Sequence, residues 1–294
     1  MSRRWLAILS LLAVAGAWGA TFTLVKGILT SIAPEPFIFW RFTLAGLILL
    51  GVAAYRRRLA RSTVVPGMAL GLLVFGGYWL QTRGLMVISP SRSAFLTGLY
   101  VVMVPFAERI LYGIRVGARG WIGSVLAVIG TTLLIGGFDA QPGLGDWFTI
   151  GCALLFALHV VLSARYTTQH SATGLAAVQV FFVGIAAAVP AMAAPPTRFT
   201  AEIVGVIVFT AVVTTALAFA LLMWGQAHVT ATEAAVILSF EPVAASLTST
   251  LWYGEPLTPA FLAGASMILA AMIVSQLKRR GSVTMRADGP HPGH

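Results

Sequence analysis

The sequence predicts an all-α integral membrane protein whose ten transmembrane helices form two inverted five-helix repeats around a central cavity. Three observations carry this expectation. The 294 residues are 58% hydrophobic and 10% charged, against about 45–50% and about 25% in an ordinary globular domain. The apolar residues come in runs long enough to cross a bilayer, which takes about 20 of them. The second half of the chain also repeats the layout of the first at a constant offset of 141 residues. A soluble protein this apolar lacks the polar groups to cover its own surface, so lipid is its natural solvent.

Ten segments qualify as spans: 5–25, 36–55, 66–88, 93–112, 118–136, 144–164, 173–193, 201–224, 233–252 and 259–277. Inside lipid every backbone polar group needs an internal partner, which leaves helices or a closed barrel. The runs are too long and too continuous for barrel strands of about 10 alternating residues. The connections are short and carry the helix breakers Pro34, Pro36, Pro66, Pro90, Pro142, Pro195, Pro196, Pro256 and Pro259. No linker has room for a soluble domain. The first apolar run continues far past signal-peptide length and lacks a convincing cleavage site, so it is expected to stay as the first helix. The tail over 278–294 is polar, contains Gly and Pro, and is expected to be flexible.

The net charge of +10 raises nucleic acid as a partner, but its distribution argues for topology instead. With the N-terminus in the cytoplasm, that side holds Arg3, Arg4, Arg56, Arg57, Arg58, Arg61, Arg109, Arg115, Arg119, Arg165, Lys278, Arg279, Arg280 and Arg286. The other side holds Lys26, Arg92 and Arg198, and Arg41 and Arg83 fall within spans. Such asymmetry places both ends in the cytoplasm. The expected location is a bacterial-type inner (plasma) membrane.

At the 141-residue offset, spans one to five fall on spans six to ten without a gap. Tyr112-Gly113 lands on Tyr253-Gly254, Gly84 on Gly225, Ala94 on Ala235, Val102 on Val243 and Gly123 on Gly264. Only 7 of the 44 positions from 80 to 123 match, so the shared spacing of the spans carries the repeat more than identity does. Five helices are an odd number, so the second unit inserts with opposite orientation. That is the layout of many secondary transporters, with the site near the midplane between repeats. The units are expected over 5–136 and 144–277.

The sequence at this point resembles the EamA group of the drug/metabolite transporter superfamily over roughly 5–277. In the first unit the likeness rests on Trp18-Gly19-Ala20-Thr21-Phe22, Lys26, Pro36 and Arg41-Phe42. In the second it rests on Trp224-Gly225-Gln226, Glu241-Pro242-Val243, Tyr253-Gly254-Glu255-Pro256-Leu257 and Gly264. The resemblance implies a ten-helix carrier of small organic solutes, often outward, with amino-acid exporters of the YddG type among its relatives. The first unit departs from the pattern. It has Ile114-Arg115 where the second has Glu255-Pro256, and Tyr100-Val101 where the second has Glu241-Pro242. A symmetric two-carboxylate coupling mechanism is therefore in doubt.

Transport needs polar or aromatic groups facing a cavity, because polar side chains facing lipid are costly. Glu241 leads the candidates, expected in the middle of span nine beside Pro242, where it can bind a substrate ammonium or exchange a proton. The alternative is a protonated Glu hydrogen-bonded to a neighbouring helix. His159, in the middle of span six, is either a substrate or proton partner or a satisfied histidine of the bundle core. Trp18, Tyr78, Tyr100 and Phe219 are expected to line the cavity with aromatic faces, which suit apolar bodies and cations. Interhelical packing is the plain alternative for each, and an interfacial belt for Trp18. Thr82 shares a helix face with Tyr78 at i, i+4, while Trp79 and Gln81 are expected to point elsewhere. Arg41 and Arg83 are expected to snorkel to the outer headgroups, Arg83 having a second reading as a lure for a substrate carboxylate. Lys26 and Arg92 are expected in solvent. Gln179 lines a cavity or packs. Gly76-Gly77 reads as close packing rather than a hinge.

No catalytic set stands out. There is no HExxH zinc site and no ATP-binding glycine loop, and the single cysteine, Cys152, reads as a small core residue. No cofactor or metal is expected, nor nucleic acid. The expected partners are a small-molecule substrate and the lipid bilayer, with a coupled proton as a further candidate. The expected activity is alternating-access transport of small organic metabolites, foremost amino acids, with aromatic or cationic solutes as further candidates. The alternatives are a membrane-embedded enzyme using Glu241 and His159, and a non-transporting membrane subunit.

Overall fold

The computed structural model describes residues 3–135, 141–226, 228 and 237–276. The tail expected over 278–294 lies outside the described residues, with Lys278, Arg279, Arg280 and Arg286 of the charge balance and the start of span nine.

The described residues form helices, taken here in order as α1 (Arg3–Ile28), α2 (Pro34–Tyr55), α3 (Val64–Val87), α4 (Pro90–Gly98), α5 (Tyr100–Tyr112), α6 (Ala118–Ile135), α7 (Leu144–Tyr166) and α8 (Ala172–Ala193). Next come α9 (Ala201–Ala211), a π segment (Val212–Leu217), α10 (Ala218–Gln226), α11 (Glu241–Tyr253) and α12 (Pro259–Gln276). Eight helical stretches are long and apolar enough to cross a membrane, the eighth running through the π segment as Ala201–Leu222. The chain is a multi-pass membrane protein.

Local chemistry sets the ends. Pro34 and Pro90 open α2 and α4, where a missing N–H costs nothing. Ser89, Ser171 and Thr200 accept from the backbones of Arg92, Gly174 and Ile203 and so cap α4, α8 and α9. Gly113 and Gly254 stop α5 and α11 in the left-handed conformation, at φ 70° and φ 64°, which glycine adopts without a Cβ penalty. The repeated Tyr-Gly pair is therefore a helix stop in both halves.

Two spans expected to be continuous are broken. The fourth divides between Gly98 and Tyr100, where Leu99 N and Val102 N bond back three residues instead of four. The ninth restarts at Glu241 after a turn at residues 239–240. Pro242 fits the first turn of a helix but not its interior. Glu241 thus heads α11 rather than sitting mid-helix. Tyr100 and Glu241, 141 residues apart, each begin the second half of a broken span.

The bundle packs α2 on α8, α6 on α12, α3 on α7 and α8, and α1 on α11. Small residues let backbones touch. A Cβ built on Gly19 would stand 2.5 Å from the Glu241 carbonyl oxygen, and one on Gly130 would stand 2.8 Å from that of Gly264. Gly77 makes room for the Phe156 ring, which is close packing as the sequence suggested. Large apolar side chains such as Leu47, Ile185 and Leu251 face outward, 54%, 53% and 86% exposed. In water that surface is a liability; against acyl chains it is the matching one.

Candidate functional site

A cavity of about 460 Å³ runs along the centre of the bundle. All seven residues singled out in the sequence line it: Trp18, Tyr78, Thr82, Tyr100, His159, Phe219 and Glu241. The helices α1, α2, α3, α4, α5, α7, α8, α10 and α11 contribute walls, whereas α6 and α12 pair with each other outside it.

Each wall residue has a definite setting. Trp18 Nε1 donates to Thr214 O at 2.8 Å, within the π segment, whose wider turn takes carbonyls off the ordinary ladder. The Trp18 ring meets Phe219 edge-on at 5.9 Å. Tyr78 stands between Phe42 and Phe156, at 4.8 and 5.5 Å. Thr82 Oγ1 donates to Tyr78 O at 2.7 Å and keeps acceptor capacity toward the cavity. His159 Nε2 and Gln179 Oε1 lie 2.7 Å apart, so the imidazole is partnered by an amide across α7 and α8. The Glu241 carboxyl makes no hydrogen bond or ion pair with a side chain among the described residues. Gln179 and Gln81 also reach the cavity, and Gln81 Nε2 donates to Thr97 Oγ1 at 3.2 Å. Gln81 therefore does not point away from Tyr78 and Thr82 as its helix position suggested.

The arginines depart furthest from expectation. Arg41 does not snorkel: it is 2% exposed and lines the cavity. Its Nε donates to Thr215 Oγ1 at 2.9 Å and its Nη2 to Thr214 Oγ1 at 3.4 Å. The guanidinium carbon sits 5.9, 5.3 and 5.1 Å from the ring centroids of Phe37, Phe42 and Tyr78. The available signal was the face it occupies. Arg41 follows Phe37 by four residues and precedes Ala45 by four, on the buried side of α2. Depth along the helix hid this. Arg83 is half-exposed and pairs with buried Glu35, which also accepts from Trp79 Nε1 at 2.7 Å.

Lys26 and Arg92 are not free in solvent either. Lys26 Nζ donates to the carbonyls of Leu85, Met86 and Ile88 at 2.7, 3.0 and 3.1 Å, a cation on the negative end of α3. Arg92 grips Asp146 with two bonds of 2.6 Å. At the same end Glu255 accepts from Ser91 at 2.7 Å and Ser249 at 2.5 Å, and Tyr253 Oη donates to Thr23 O at 3.1 Å. These bonds tie α1, α3, α4, α7 and α11 together there. No group of three or more His, Cys, Asp or Glu suited to a metal exists among the described residues.

A polytopic helical bundle around a solute-sized polar and aromatic cavity is the build of a membrane carrier. The chain belongs to the EamA-like transporter family, which matches residues 5–136 and 143–276. It is 33% identical over 280 residues to an uncharacterized transporter of Archaeoglobus fulgidus, covering 94% of this chain and 87% of that protein. It is 24% identical to the uncharacterized transporter YyaM of Bacillus subtilis, covering 87% and 89%. A solved crystal structure shares the fold at a TM-score of 0.68 and 16% identity, over 92% of this chain and 96% of that one. Family and relatives are transporters rather than enzymes, which implies a small-molecule substrate and a lipid bilayer as partners.

Proposed function

We propose that this protein is an alternating-access carrier of small organic metabolites, foremost amino acids, in a bacterial-type inner membrane with both termini in the cytoplasm. One observation carries the reading. Residues 141 apart line the same cavity in pairs: Trp18 with His159, Phe22 with Ser163, Tyr78 with Phe219, Gln81 with Leu222, Thr97 with Leu238, and Tyr100 with Glu241. A chamber walled by equivalent positions of two halves is the one that rocking of those halves exposes on alternate sides. Its volume lies within the range of about 300–1,000 Å³ typical of small-molecule sites.

Helix packing supports the two inverted five-helix units over 5–136 and 144–277. The contact of α1 with α11 has its counterpart in α7 with α4 and α5, and α3 with α7 in α1 with α9 and α10. The Glu241 carboxyl, which has no side-chain bond among the described residues, is the proton-exchanging group, and His159, held by Gln179, lines the same cavity as the second candidate. In the orientation set by the charge asymmetry, the Lys26 end faces outward, so the ties there close the outer mouth.

Purified protein in proteoliposomes, offered a broad panel of amino acids and organic cations, tests the reading. Saturable flux is the expected result. Its absence for every solute would remove the carrier assignment.

A further inference from the structure

We propose that Arg41 is the counter-ion for a carboxylate on the transported solute, so that the cavity takes small carboxylates with an aromatic or apolar body. The inference rests on the carrier reading and narrows its substrate class.

The guanidinium is buried in the span of α2, away from either end. Arginine does not shed its proton in proteins, so a full positive charge stands there. Threonine hydroxyls and three aromatic faces solvate it without neutralising it. Among the described residues no carboxylate forms an ion pair with Arg41. The contrast within the molecule is sharp: Arg83 has Glu35 and Arg92 has Asp146. Glu241 lines the same cavity yet does not pair with Arg41. A buried charge is expensive unless it is paired, and an ionisable group inside a membrane span calls for a partner. The partner that no described carboxylate supplies can arrive with the solute.

The geometry suits a carboxylate. Thr214 and Thr215 engage two of the five guanidinium N–H groups, leaving donors for the planar fork that carboxylates accept. Phe37 and Tyr78 flank the charge, and Trp18, Phe156 and Phe219 wall the rest of the cavity, a surface for an apolar or aromatic body. The class includes aromatic amino acids. It excludes amines that lack a carboxylate.

The test is flux into proteoliposomes of three solutes sharing one ring: L-phenylalanine, 3-phenylpropionate and phenethylamine. Wild type is expected to carry the first two saturably and not the third. Arg41→Gln is expected to raise the half-saturation concentration for both carboxylates by at least about tenfold, the loss of one charge-assisted contact, with Arg41→Lys in between. Thermal unfolding in detergent establishes that each variant is folded; if Arg41→Gln is not, the wild-type panel and Arg41→Lys decide. Carriage of phenethylamine or other solutes without carboxylates overturns the inference and leaves the carrier reading standing. So does a folded Arg41→Gln with unchanged carboxylate kinetics. No saturable flux of any solute overturns both.

Discussion

Gly184 of α8 packs on Thr43 of α2, its own counterpart at the 141-residue offset: a Cβ on the glycine would stand 2.9 Å from the threonine amide nitrogen. Three residues further along α2, Gly46 meets Phe181, three residues earlier on α8, so the helices run antiparallel. A residue that touches its own counterpart sits where a two-fold axis relating the halves would pass. Gly184→Ala is expected to destabilise the protein by about 1–3 kcal/mol, as overpacking does. Gly205→Ala, with open space around its Cβ, should be neutral or slightly stabilising through helix propensity. Thermal unfolding in detergent reads both, and equal melting temperatures would contradict the packing account.

Asp146 is 1% exposed and holds Arg92 through both carboxylate oxygens, while also accepting from Gly143 N at 2.8 Å. Asp146→Ala strands a guanidinium and opens the start of α7. A loss of about 3 kcal/mol is expected, read as a lowered melting temperature. Arg92→Lys keeps the charge but loses the fork and should fall between.

Glu241→Gln keeps the size and hydrogen-bonding reach of the side chain but cannot exchange a proton. If the carboxyl couples proton movement to transport, flux through the variant is expected to fall and to lose the pH dependence of wild type. Proteoliposome flux at several pH values measures this, and an identical profile would assign Glu241 a packing role.

His159 and Gln179 form one hydrogen-bonded unit, so their substitutions should not add. His159→Phe strands the buried Gln179 amide and Gln179→Leu strands the half-buried imidazole, each at about 1–3 kcal/mol. The double variant is expected to cost less than the sum by about 1 kcal/mol, the coupling of residues in direct contact. A double-mutant cycle on unfolding free energy gives the value, and strict additivity would argue against the bond.

The spans were legible because lipid demands a long unbroken apolar run, a one-dimensional property. The 141-residue offset is likewise a spacing, and a linear reading can register it. Tyr100 and Glu241 could be paired by arithmetic alone, but the restart of the helix at Glu241 was not seen, because in the sequence Pro242 reads as a bend inside a continuous span. Partners were a different matter. Asp146 lies far from Arg92 in sequence, as Thr215 does from Arg41, and nothing in a linear reading brings them together. Arg41 shows the limit most clearly. Its depth suggested the headgroups, whereas its helix face, shared with Phe37 and Ala45, turns it inward. Lys26 falls under the first limit, that of distant partners, since its three acceptors are the end of a helix two spans away.

Cys152 is the single thiol of the chain, fully buried in α7. Maleimide reagents in solution therefore meet a silent background. A cysteine introduced at an exposed position becomes a unique chemical address, open to a fluorophore or a spin label without first stripping the native sequence. One such address near Arg56 and another near Arg198 would report, by which compartment's reagent reaches them, which way the molecule sits. A pair of labels would then follow its two mouths in real time.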